Sequence, residues 1–266
     1  MSFVAITDTS GNLPNEQVQK ADLKVIAFPY FINGKEYTCL DSDKFCGDAF
    51  YAQIKDGMKV TTSQISPQQY ADFFEPYLRQ GQDVVFVAMS SGISGSCNSA
   101  RIGAQMLLEQ YPQRKIEVVD TLGASLGEGL VALEAARLRD EGLGAKEAAA
   151  QLRDLVQRMF NVFTVDDLMH LRRGGRLSNM AAIVGMVLNI KPLLKGQRGG
   201  QDRLLCQGAG TEEVHRGAGR PLRQAGGGAG EADRGHRPGR LQGGRRVSGG
   251  ASEPEPSAEG DPDRGI

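Results

Sequence analysis

Residues 84–89 form an uninterrupted apolar run, Val84-Val85-Phe86-Val87-Ala88-Met89, followed by Ser90-Ser91-Gly92-Ile93-Ser94-Gly95-Ser96. A β-branched run of this length predicts a strand buried on both faces, the usual kind in a parallel sheet. Residues 97–111 then predict a helix, with Ala100, Ile102, Ala104, Leu107 and Leu108 on its buried side. The Ser/Gly stretch therefore sits at the carboxyl end of a strand and the amino end of a helix. Open α/β sheets bind ligands there, where free N–H groups and the helix dipole favour an anionic oxygen. A connection with one helix N-cap is the competing reading.

Upstream, residues 3–6 predict a short strand, followed by the polar turn Thr7-Asp8-Thr9-Ser10-Gly11-Asn12. Asp8 suits a cap of that turn or an acceptor orienting hydroxyls. Residues 23–28 predict a second strand, Asn33-Gly34 a hairpin turn, and residues 41–55 a helix that Gly57 stops. Thr61, Thr62 and Ser63 form a second hydroxyl cluster ahead of a helix over 68–80. Capping by Ser66 with Pro67 at the first helical position explains those two residues, but not the three before them. A strand over 116–120 and helices over 129–141 and 145–158 complete the alternation, which argues a parallel sheet with helices on both faces.

Residues 161–165 open a new unit, and 166–171 predict a short helix. The turn Arg172-Arg173-Gly174-Gly175-Arg176 suits an anion or a partner's acidic patch, or is simply a solvated basic loop. His170 stands without a nucleophile or metal set. Residues 181–189 predict a strongly apolar helix with an extended exit to 194.

A formal net charge of -1 gives no reason to expect nucleic acid or an acidic membrane surface as a partner. Cys39, Cys46, Cys97 and Cys206 form no C-x-x-C pair, and the amino terminus lacks a basic leader, which suits a cytoplasmic protein with reduced thiols. No metal site or cofactor motif such as G-x-x-x-x-G-K-[ST] is present.

The order and spacing of Ile6-Thr7-Asp8-Thr9-Ser10, Thr61-Thr62-Ser63-Gln64, the 90–96 turn, Val119-Asp120-Thr121, Ala124-Ser125-Leu126-Gly127, Arg173-Gly174-Gly175-Arg176-Leu177-Ser178 and Leu188-Asn189-Ile190-Lys191-Pro192 resemble the DegV family of bacterial fatty-acid-binding proteins. The resemblance spans residues 3–195. It implies a two-domain α/β fold: a parallel-sheet domain over 1–158 and a second, lipid-enclosing α/β domain that starts at 159–195 and is truncated here. It implies a long-chain fatty acid as ligand, its carboxylate held by Thr62 and Ser94 with Ser63 and Ser91 beside them, and its tail against 181–188. A fatty acid kinase would be the partner and would convert the acid to acyl-phosphate for phospholipid synthesis. Arg173 and Arg176 would dock that partner or close the site. The protein would be a carrier and not an enzyme. The rival readings are an α/β enzyme acting on a phosphorylated or carboxylated metabolite at the same loops, with Asp8 or Asp120 as base, and a protein contacting RNA through its tail.

After Lys195 the composition changes. About half of the 35 glycines lie there, and Lys, Phe, Tyr and Met disappear. Residues 196–266 read as an aberrant, core-less tail. Residues 201–224, back-translated and read one nucleotide later, can encode a strand and an amphipathic helix, which favours a frameshift over a Gly/Arg-rich tail. The family's distal histidine has no match in His215 or His236.

Overall fold

The computed structural model of the chain describes residues 3–165, 170–171, 174–176, 191–196 and 202–208. Five residues of the expected central run, Val84–Ala88, join Asp83 in β6, Asp83–Ala88, and every residue of the strand is buried. β1, Phe3–Asp8, lies beside it, equally buried. With β2 (Lys24–Ile26) and β7 (Ile116–Asp120) they make a four-stranded sheet in the order β2-β1-β6-β7, parallel throughout.

Alternation along the strands divides the core in two. Val4, Ile6, Val84, Phe86 and Ala88 pack on one face against α3 (Pro67–Arg79) and α4 (Ser96–Gln110). Phe3, Ala5, Val85, Val87 and Val119 pack on the other against α5 (Leu126–Asp140) and α6 (Ala145–Arg158). Full burial of such side chains contributes about 1.5–3 kcal/mol each, so two covered faces outweigh any local propensity. This is an α/β fold with helices on both faces of a parallel sheet, as expected.

Between β2 and α3 the chain builds a small antiparallel sheet, ordered β4-β3-β5. β3 (Tyr30–Ile32) and β4 (Lys35–Tyr37) form the hairpin, with Asn33 at φ 50° and Gly34 at φ 86° in its turn. β5 is Val60–Thr62 and pairs with β3. Two expectations change here. The helix expected over 41–55 is broken into a 3-10 turn, Ser42–Lys44, and α2, Gly47–Lys55. Thr61 and Thr62, expected only as a hydroxyl cluster, lie in a strand. A short helix α1, Asn15–Lys20, joins β1 to β2.

Ser66 and Pro67 act as expected: Ser66 caps α3 in a capping box with Gln69, and Pro67 starts the helix. Ile102, expected in the core, is 46% exposed. α4 instead buries the stripe Ser99, Ala100, Gly103, Ala104 and Leu107. Small residues bring α4 close to α3: a Cβ on Gly103 would come within 2.5 Å of the Pro67 carbonyl oxygen. Gly103→Ala gains about 1 kcal/mol of helix propensity, but the obstacle is backbone. The variant is expected to lose about 2 kcal/mol net from forced helix separation, read as a lowered denaturation midpoint with unchanged slope.

A second close approach joins α5 to the turn after β1. A Cβ on Gly129 would meet the Gly11 carbonyl oxygen at 2.7 Å.

A third sheet begins at β8, Val162–Thr164, which pairs antiparallel with β9, Lys191–Gly196. β10, Asp202–Gly208, pairs antiparallel with β9 on its other side, giving the order β10-β9-β8. β10 thus falls within the segment assigned to a tail. His170 and Leu171 are helical and His170 is exposed. The apolar helix expected over 181–189 and Arg173 lie outside the described residues. Among the described residues no helix is long and apolar enough to cross a membrane.

Candidate functional site

β1 has β2 on one side and β6 on the other, so the strand order reverses between β1 and β6. A cavity of about 830 Å³ opens at the carboxyl ends of these strands, within the range of roughly 300–1,000 Å³ typical of small-molecule sites. Thr62, Ser63 and Ser94 line this one cavity, together with Asp8, Ser10 and Arg176. The apolar wall includes Phe28, Phe45, Phe50, Phe73 and Met89. Phe45 and Phe50 meet edge-on with centroids 5.2 Å apart, so this part of the wall comes from α2 and the residues just before it.

Strand alternation explains the Thr62 position. Side chains along β5 alternate in direction; Val60 and Thr62 line the cavity, and Thr61 does not. The Thr62 loop is tied to the Ser94 turn at two places. The Ile65 N–H donates to Ser96 Oγ at 3.2 Å. The Gln64 carboxamide covers Gly95, where a Cβ would approach Gln64 Oε1 to 2.0 Å.

Ser94 Oγ accepts from the N–H of Ser96, the first residue of α4, at 3.1 Å. That bond uses a lone pair and leaves the hydroxyl proton to donate. The turn holds its own shape: Gly92 N–H donates to Ser90 Oγ at 3.1 Å, and Ser94 N–H to the Ser90 carbonyl at 3.1 Å. Ser91 is exposed and outside the cavity wall. Its N–H donates to Asp120 Oδ1 at 3.2 Å, and Leu122 N–H donates to the same atom at 3.0 Å. Asp120 is therefore engaged in fixing two turns.

Asp8 fills both roles the sequence allowed. Its Oδ1 accepts from the Ser10 N–H at 2.8 Å and lies 2.5 Å from Ser10 Oγ. A residue the sequence reading missed stands opposite. Glu128, in the first turn of α5, is completely buried, with Oε2 2.6 Å from Ser10 Oγ and Oε1 3.2 Å from Thr7 Oγ1. Ser10 has one hydroxyl proton and cannot donate to two carboxylates. At these distances one carboxyl must carry a proton. The arrangement that satisfies both contacts runs from protonated Glu128 to Ser10, and from Ser10 to Asp8. Burial pushes the Glu128 carboxyl well above the ordinary range, with the Asp8 charge adding to the rise. Burial also raises Asp8, and bonds from Ser10 offset part of that rise. The signal for Glu128 was the neighbouring Gly129, which lets α5 come close to the turn after β1.

A sequence profile of the DegV family, described as uncharacterised proteins, matches residues 2–217. The match runs past Lys195, where the resemblance read from motifs ended. The DegV domain-containing protein CPE0026 of Clostridium perfringens is 36% identical over 192 residues, covering 72% of this chain and 66% of the relative, just under two thirds. YteA of Lactococcus lactis is 36% identical over 214 residues, covering 80% of this chain and 74% of that protein. Among solved structures, a fatty-acid-binding DegV family protein from Thermus thermophilus aligns with a TM-score of 0.71 at 29% identity, covering 81% of this chain and 75% of that one. A stearic-acid-binding protein from Eubacterium ventriosum aligns with a TM-score of 0.72 at 26% identity, covering 80% and 73%. With a profile match over most of its length and relatives above 30% identity, the chain belongs to the DegV family.

Proposed function

We propose that this protein binds one long-chain fatty acid, with the carboxylate between Thr62, Ser63 and Ser94 and the tail along the aromatic wall, and presents the acid to a fatty acid kinase that makes acyl-phosphate. The observation that carries this reading is the convergence of Thr62 and Ser94 on a single cavity whose remaining wall is largely apolar. A carboxylate leaving water needs several hydrogen bonds, and hydroxyls together with the amino end of α4 supply them without a fixed counter-charge. Such a grip releases its ligand more readily than a buried arginine does, which suits a carrier. Arg176, exposed and in the cavity wall, is placed to close the site or meet the kinase. Arg173 keeps the same proposed role. Ser91 contributes through the turn that sets Ser94. The solved fatty-acid-binding relatives support the ligand class.

Lipid extraction of the purified protein followed by mass spectrometry is expected to yield a stoichiometric long-chain fatty acid. Protein that carries none and takes none up from solution overturns the proposal.

A further inference from the structure

Resting on the fatty-acid reading, one feature of the cavity goes beyond it. Asp8 is 2% exposed and forms part of the cavity wall, yet its Oδ2 is buried with no hydrogen-bond partner among the described residues. Its other oxygen is already occupied by Ser10. With Glu128 holding a proton and Asp8 ionised, the pair carries one negative charge beside the site for a ligand carboxylate.

We propose that Asp8 and Glu128 form a proton-binding site coupled to the ligand: a fatty acid carboxylate binds together with one further proton, which the Asp8–Glu128 pair takes up. A second negative charge beside this buried, already ionised pair is disfavoured. The added proton cancels the charge of the pair and leaves that of the ligand alone. The balance is simple. One carboxylate and one proton enter from solvent, and the proton adds to the carboxylate of Asp8.

The groups around the pair do not supply the missing positive charge. Tyr70 from α3 is fully buried, and burial raises its hydroxyl pKa. Cys97 from α4 is pushed up to about 11 by burial, with Asp120 of β7 adding to the rise. Lys24 of β2 lines the cavity but pairs with Asp22 at 2.6 Å. Arg176 stands in the exposed part of the wall. Cys39, Tyr30, Tyr51 and Tyr77 are the other titratable wall residues, and burial is the main cause raising Tyr30.

Titration calorimetry of the full chain with decanoate, in buffers of differing ionisation enthalpy near neutral pH, tests this. The heats are expected to vary with the buffer by about one proton taken up per ligand, and Kd to rise up to tenfold per pH unit. Decan-1-ol, which carries no charge, is expected to show no buffer dependence. Decanoate that binds with buffer-independent heats overturns the inference and leaves the fatty-acid reading standing. Failure of decanoate and of longer acids to bind at all overturns that reading as well. Asp8→Asn combined with Glu128→Gln, nearly isosteric, is expected to abolish the proton uptake. Full uptake in the folded double variant rejects this pair as its source, and if that variant does not fold the wild-type proton count alone decides.

Discussion

Replacing Thr62 and Ser94 together by alanine is expected to weaken fatty acid binding by about a hundredfold or more. Each substitution removes a hydroxyl placed to bond a carboxylate, and a bond to a charged group contributes about 1.5–3 kcal/mol. Two at the lower end amount to about 3 kcal/mol, or two decades in Kd. The single variants separate binding from folding. Thr62 is exposed on a short strand, so Thr62→Ala affects binding alone. Ser94→Ala also removes the acceptor for the Ser96 N–H, costing about 1 kcal/mol of stability. Displacement of a fluorescent fatty acid, beside thermal melts, reads both effects. An unchanged Kd in the double variant rejects this headgroup assignment.

Glu128→Gln is expected to become progressively more stable than the wild type as pH rises from about 4.5, the ordinary glutamate value, towards neutrality. The folded-state pKa is raised, so between the unfolded and folded values the native protein holds a proton that the unfolded chain has released. Stability is fully present below the unfolded pKa and falls as pH rises, by at most about 1.4 kcal/mol per unit per proton, until the folded pKa is passed. Glutamine keeps the shape and supplies an N–H donor towards Ser10, yet it cannot ionise. Urea denaturation of both proteins across this pH range gives the curves. Parallel curves would show that Glu128 ionises normally in the folded protein.

The parts of the fold that could be read from sequence were those set by neighbouring residues. The run 84–89 needs no partner to announce a doubly covered strand. Asn33-Gly34 and Ser66-Pro67 carry their geometry in two residues each. Val60–Thr62 was not legible as a strand because its strand character comes from pairing with the distant β3. Ile102 was misplaced because helix periodicity marks an apolar residue as buried, whereas α4 turns its smallest residues to α3. At the site, the hydroxyls were legible from composition and position. The proton-sharing pair was not: a lone glutamate on a helix ordinarily faces water, and only the fold brings it to Ser10 from the other face of the sheet.

The contact of Gly129 with Gly11 gives this chemistry a mechanical setting. Neither glycine touches a ligand or carries a charge, yet their backbones act as a spacer that fixes how far Glu128 stands from Ser10. A single extra methyl on Gly129 would open that gap and strand each acid on its own side. Distance between two carboxyls, and with it the acidity of the chamber, is thus set by the absence of one side chain, at Gly129.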